Sequence, residues 1–124
     1  MATASLTAIR GAITVTHDDA TELLAATTEL LQAIVRENAL APDQLISAVF
    51  TATADLTAVA PARAARELGW TELPMLCAQE MAVAGALPRC VRVLLHVQGV
   101  PSPRHCYLRG AVALREDRRV DTSA

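Results

Sequence analysis

The sequence predicts an α+β fold, a mixed β-sheet with helices packed over one face. Several short segments alternate apolar and polar residues at period two, which gives a strand one core-facing side. One long segment instead carries its leucines at helical period. Gly/Pro-rich turns separate the pieces, and the order reads βαβαβββ.

The first strand covers residues 8 to 15, AIRGAITV, with Ile9, Ile13 and Val15 on one face, Gly11 between them, and Arg10, Ala12 and Thr14 on the other. HDDATE then signals a helix start, because Asp19 can cap it and Glu22 follows at capping-box spacing. The helix runs to about Asn38 on a stripe of Leu23, Leu24, Thr27, Leu30, Leu31, Ile34 and Val35. Pro42 and Asp43 mark a turn, and the second strand, LISAVFTAT, is rich in β-branched residues. Pro61 suits a helix start and Gly69 a helix end, so ARAAREL forms the second helix. Residues 73 to 80, LPMLCAQE, are a short apolar segment before the turn AGALPR. CVRVLLHV, 90 to 97, is the clearest strand, and CYLRGAVALR, 106 to 115, reads as the last. The polar tail from Glu116 reads as flexible.

The 124 residues suit a single domain over 1–124. At 52% hydrophobic they supply ample core. No apolar run approaches the roughly 18 clean residues of a membrane span, and no signal core opens the chain. This is read as a soluble cytoplasmic protein without a membrane partner. A net charge of −2 and a pI near 5.9 argue against nucleic acid as a partner. All 11 basic residues are arginines, which excludes a Schiff base on lysine. The three cysteines, Cys77, Cys90 and Cys106, show no CxxC spacing. Metal sites, P-loops, GxGxxG and GxSxG motifs are all absent from the sequence, so no cofactor and no metal are expected.

The arginines carry the chemical signal. Arg92, Leu94 and His96 oppose Val91, Val93, Leu95 and Val97; Tyr107, Arg109 and Arg115 oppose Cys106, Leu108 and Leu114; Arg10 opposes Ile9 and Ile13. Three strands thus each have an apolar face and a face with at least one arginine. One reading is a solvated side of an antiparallel sheet. The other is an anion site in which guanidinium forks bind carboxylates. Glu80 is either a solvated loop carboxylate or a functional group, a hydrogen-bond acceptor or general base. Tyr107 reads as half-buried packing with its hydroxyl at the rim, and Cys77 as an inert buried thiol.

IRGAITV, ARELGW with LPMLCAQEM, LPRCVRVLLHV and RHCYLRGAVALR occur in that order. Together they closely resemble the monofunctional trimeric chorismate mutases of the Bacillus type, over about residues 8 to 116. The resemblance implies a pseudo α/β-barrel homotrimer with active sites between subunits. It also implies a cofactor-free [3,3] rearrangement of chorismate to prephenate. By the same resemblance Arg10 contacts substrate, Arg92 stands against the ether oxygen, and Glu80 accepts from the ring hydroxyl. Tyr107 lies near a substrate carboxylate, and the neighbourhood of Cys77 meets the hydroxyl. Arg66 sits at the mouth, Arg63 at a usually basic position, and Leu114 and Arg115 on a wall. Ala60 departs from a commonly aromatic position, and Leu76 from a small polar one. The alternatives are a trimeric small-acid binding or regulatory protein of the Rid type, and an inert trimer whose arginines form interface ion pairs.

Overall fold

The computed structural model describes residues 5–114. Five strands form one mixed sheet: β1 (Leu6–Thr14), β2 (Leu45–Ala52), β3 (Met75–Gln79), β4 (Cys90–Gln98) and β5 (Cys106–Leu108). Two α-helices join them, α1 (Ala20–Asn38) and α2 (Ala62–Glu67). The strand order is β3-β2-β4-β1-β5. The central β4 runs antiparallel to both β1 and β2, whereas β3 and β5 add parallel to β2 and β1 at the edges. Among the described residues no helix is long and apolar enough to cross a membrane.

The period-two patterns place the core where the sequence predicts it. Ile9, Ile13, Phe50, Val91, Val93, Leu95 and Val97 are buried in one cluster with Leu23, Leu30, Leu31 and Ile34 of α1 and Ala62 and Ala65 of α2. Both helices therefore cover one face of the sheet. Gly11 allows α1 to come this close, because a Cβ there would stand 2.7 Å from Ile34 Cδ1. Asp19 caps α1 by accepting from the Glu22 N–H at 2.8 Å. Glu22 does not close the reciprocal capping box. Its carboxylate reaches back to the main-chain N–H groups of Thr16 and His17, at 2.6 and 3.1 Å. Gly69, at φ 98°, ends α2 in the left-handed region.

The last strand is much shorter than its alternation predicts. It ends at Leu108, and Arg109–Ala111 form a 3₁₀ turn that continues as a helical turn through Leu114. Arg109 is left-handed at φ 53°, and its guanidinium swings to Glu29 of α1 at 2.7 Å. It therefore does not share the Tyr107 face. The chain then crosses Thr14, whose hydroxyl accepts from the Gly110 N–H at 2.9 Å. Any Cβ at Gly110 would meet that hydroxyl at 2.8 Å. This crossing buries Ala111 with Ala12 and Cys90 on the sheet face opposite the helices. Short apolar runs such as GAVAL fit either period, so sequence alternation alone could not separate strand from helix here. Arg115 and the tail from Glu116 lie outside the described residues.

Candidate active site

On the face of the sheet away from the helices, Arg10, Thr51, Glu80, Arg92, Leu94 and Tyr107 help line an open cleft of about 350 Å³. Each chemical group reaches it from a separate segment. Arg10 lies in mid-β1 and Arg92 near the start of β4, with Thr51 late in β2. Tyr107 is the middle residue of β5 and Glu80 follows directly on β3. Register brings them together: Arg92 pairs with Ala12 on β1 and with Thr51 on β2, and Tyr107 pairs with Ala12. Such fixed register makes the cleft a property of the sheet rather than of mobile loops.

Glu80 is held at both ends. Its N–H donates to Ala52 O at 2.9 Å, extending the β2–β3 pairing by one residue. Its Oε2 accepts from the Thr51 hydroxyl at 2.6 Å. The same oxygen lies 3.6 Å from Arg92 Nε, within ion-pair range but beyond a good hydrogen bond. Arg92 Nε is buried without a hydrogen-bond partner among the described residues. Beneath Arg92, burial pushes the Cys90 thiol up, and the guanidinium opposes this only in part. Cys90 is therefore a neutral packing group. The cleft walls carry two guanidinium groups against one carboxylate, a surplus of positive charge suited to a small organic anion.

The other predicted residues do not all reach this cleft. Cys77 pairs with Phe50, whose ring faces the helices, so it stands on the opposite side of β3 from the cleft. It is exposed rather than buried. Arg63 and Arg66 lie exposed on α2, and Arg63 Nε meets Glu67 at 3.2 Å. Leu114 packs beside Tyr107 against the Ala12–Cys90–Ala111 cluster, next to the cleft rather than in it. Thr51 and Val49 line the cleft without having been singled out in the sequence. The signal was present in LISAVFTAT, where Ser47, Val49 and Thr51 alternate with Ala48, Phe50 and Ala52. A second recess of about 320 Å³ beside Trp70 and Leu73 has Glu72 as its only charged lining residue among the described residues, which disfavours an anion there. Among the described residues no three His, Cys, Asp or Glu side chains gather as a metal site.

A mixed α+β sheet that presents two arginines, a carboxylate and a tyrosine in one cleft defines a protein that handles a small organic acid. The family described as chorismate mutase type I matches residues 6–118. The chorismate mutase AroH of Bacillus subtilis (strain 168) is 47% identical over 113 residues, covering 88% of this chain and 89% of that one. The chorismate mutase AroH of Thermus thermophilus is 45% identical over 113 residues, covering 88% and 93%. A solved chorismate mutase from Clostridium thermocellum superposes with a TM-score of 0.83 at 42% identity, covering 86% of this chain and 98% of that one. The chain belongs to the type I chorismate mutases, isomerases that turn chorismate into prephenate on the route to phenylalanine and tyrosine. A binding protein of the Rid type gains no support from these likenesses.

Proposed function

We propose that the rearrangement takes place in the Arg10–Arg92 cleft, with Arg92, Glu80 and Arg10 as the catalytic residues. The observation that supports this most directly is that Arg10, Arg92, Glu80 and Tyr107 line one cleft. Chorismate is a dianion, and the surplus of guanidinium charge favours its entry. The reaction is intramolecular. The ether C–O bond breaks while a C–C bond forms, and the protein neither gives nor takes a proton or an electron.

As the C–O bond opens, negative charge collects on the ether oxygen and positive charge on the ring. A guanidinium fixed against that oxygen binds the transition state more strongly than the ground state, so it raises the rate rather than merely the affinity. Arg92 supplies this group. Glu80 accepts from the ring hydroxyl and favours the positive ring. Arg10 and Tyr107 hold carboxylates and keep the flexible substrate in its compact chair-like conformer.

The working unit in this reading is a homotrimer with sites between subunits. Exposed apolar groups along and after the β3 edge support it, since Leu76 is 71% and Met81 79% exposed in the single chain. Bare strand edges with apolar side chains are ordinarily covered. Arg63, Arg66 and the strand around Cys77 then complete a neighbour's cleft. Leu114, beside Tyr107, closes a wall.

The test is loss of chorismate absorbance with appearance of prephenate, for the wild type and for Arg10→Ala. Rapid first-order conversion by the wild type and a raised KM in the variant are expected. Wild-type kcat and KM in Arg10→Ala would move the reaction out of this cleft.

A further inference from the structure

We propose that Thr51 is a positioning residue that keeps Glu80 and Arg92 apart, so that both remain available to substrate. This rests on the reading of Glu80 and Arg92 given above. A carboxylate beside a guanidinium ordinarily closes to a short, often bidentate pair, with N···O distances of roughly 2.7–2.9 Å. Here the approach stops at 3.6 Å from Nε. The Thr51 hydroxyl holds the same Oε2 at 2.6 Å, while the Glu80 main chain is pinned to Ala52. The carboxylate is thus tethered to β2 and cannot swing fully onto Arg92. Oε2 takes both of these contacts, and no hydrogen bond engages Oε1 among the described residues. Arg92 Nε likewise lacks a hydrogen-bond partner among them.

The geometry has a functional consequence. A closed Glu80–Arg92 pair would neutralise the charge that has to meet the developing anion. It would also occupy the acceptor meant for the ring hydroxyl. A threonine hydroxyl donates without adding charge, so it can orient the carboxylate and leave the field of Arg92 intact. Thr51 is suited to the task by its register, directly opposite Arg92 on β2 and two residues from Val49 on the same face.

Two substitutions separate this role from packing. Thr51→Val keeps the β-branched shape and loses the hydroxyl; Thr51→Ser keeps the hydroxyl and loses the methyl. Positioning predicts that Val lowers kcat at least about 10-fold, on the scale by which misplaced groups slow reactions, while Ser retains most of the rate. A packing role predicts the reverse order. Circular dichroism checks that both variants fold, and the Ser variant still decides the matter should Val not. Glu80→Ala and the double variant Thr51→Val/Glu80→Ala complete the measurement. If Thr51 acts through Glu80, the double variant is no slower than Glu80→Ala alone. A multiplied loss would mean that Thr51 meets substrate directly and would overturn the proposal. A fully active Glu80→Ala would instead overturn the underlying site assignment, whatever Thr51 does.

Discussion

Arg10 and Arg92 are diagonal neighbours on adjacent antiparallel strands, Arg10 pairing with Leu94 and Arg92 with Ala12. Both line the same cleft, so two like charges face one volume. Their surroundings differ. Arg92 stands beside Glu80 and is half-buried, whereas Arg10 is exposed and has no ion-pair partner among the described residues. In the proposed reading the pair divides its work, one group on the reacting oxygen and the other on binding.

Arg92→Ala is expected to lower kcat by at least about 100-fold, the scale for losing one preorganised transition-state donor. The core should be untouched, because Arg92 is absent from the buried cluster. Arg92→Lys should recover little, since an ammonium lacks the planar fork. Steady-state kinetics beside a thermal melt make the check. A kcat within a few-fold of wild type in a folded Arg92→Ala would remove Arg92 from the reaction.

How much of this was legible beforehand depended on the residue. Alternation in CVRVLLHV fixed both faces of β4, and with them the direction of Arg92, because a strand has only two sides. The Leu/Ile stripe and Asp19 placed α1 for the same reason, one period and one cap. GAVAL failed because small apolar residues satisfy both periods, and the left-handed turn at Arg109 leaves no sequence mark when the residue is not glycine. Cys77 is exposed rather than buried because an apolar segment does not reveal in advance that its strand will stand at the edge of the sheet. Thr51 carries no chemical mark in the sequence, because an uncharged hydroxyl gains importance only once register sets it against Glu80.

Arg66 gives a test of the assembly. In one chain it lies on α2, away from the cleft lining. If it completes a neighbour's site, Arg66→Ala should raise KM, and the protein should sediment as a trimer. Mixing Arg66→Ala with Arg92→Ala subunits and re-equilibrating should then restore part of the activity, because some mixed clefts receive both arginines. A monomer at micromolar concentration, or no recovery in verified mixed trimers, would argue against shared sites.

Two carboxylates predict the acid limit of stability. Main-chain donation from Ala58, with further donation from Thr57, holds the Asp18 carboxyl below its ordinary 3.8. Donation from the Thr16 main chain, followed by other bonds to Thr16 and His17, holds Glu22 below its ordinary 4.5. Both groups bind protons less readily in the folded chain than in the unfolded one. Their contribution is therefore complete above the ordinary values and is lost as pH falls through the depressed ones. Urea midpoints between about pH 3 and 6 should fall toward acid, as such linkage requires. Asp18→Asn and Glu22→Gln should each flatten that dependence. An unchanged slope in both variants would place the acid sensitivity elsewhere.

Gly11 separates packing from chemistry within a single strand. It sits beside Arg10, yet its missing side chain points at α1, where a Cβ would stand 2.7 Å from Ile34 Cδ1 and 3.1 Å from Leu30 Cδ1. Both neighbours are fully buried, so neither can swing out to make room. Gly11→Ala should cost about 1–3 kcal/mol, the range for overpacking a tight core. Ile34→Val removes the crowded atom and should cost about 0.5–1.5 kcal/mol alone. In the double variant the new methyl occupies the space vacated by Cδ1, so its loss should be smaller than the sum of the two. Denaturant midpoints across the four proteins measure this coupling directly. Strict additivity would mean that α1 shifts away from β1 rather than pressing on Ile34, and kcat would then register any displacement passed along the strand to Arg10.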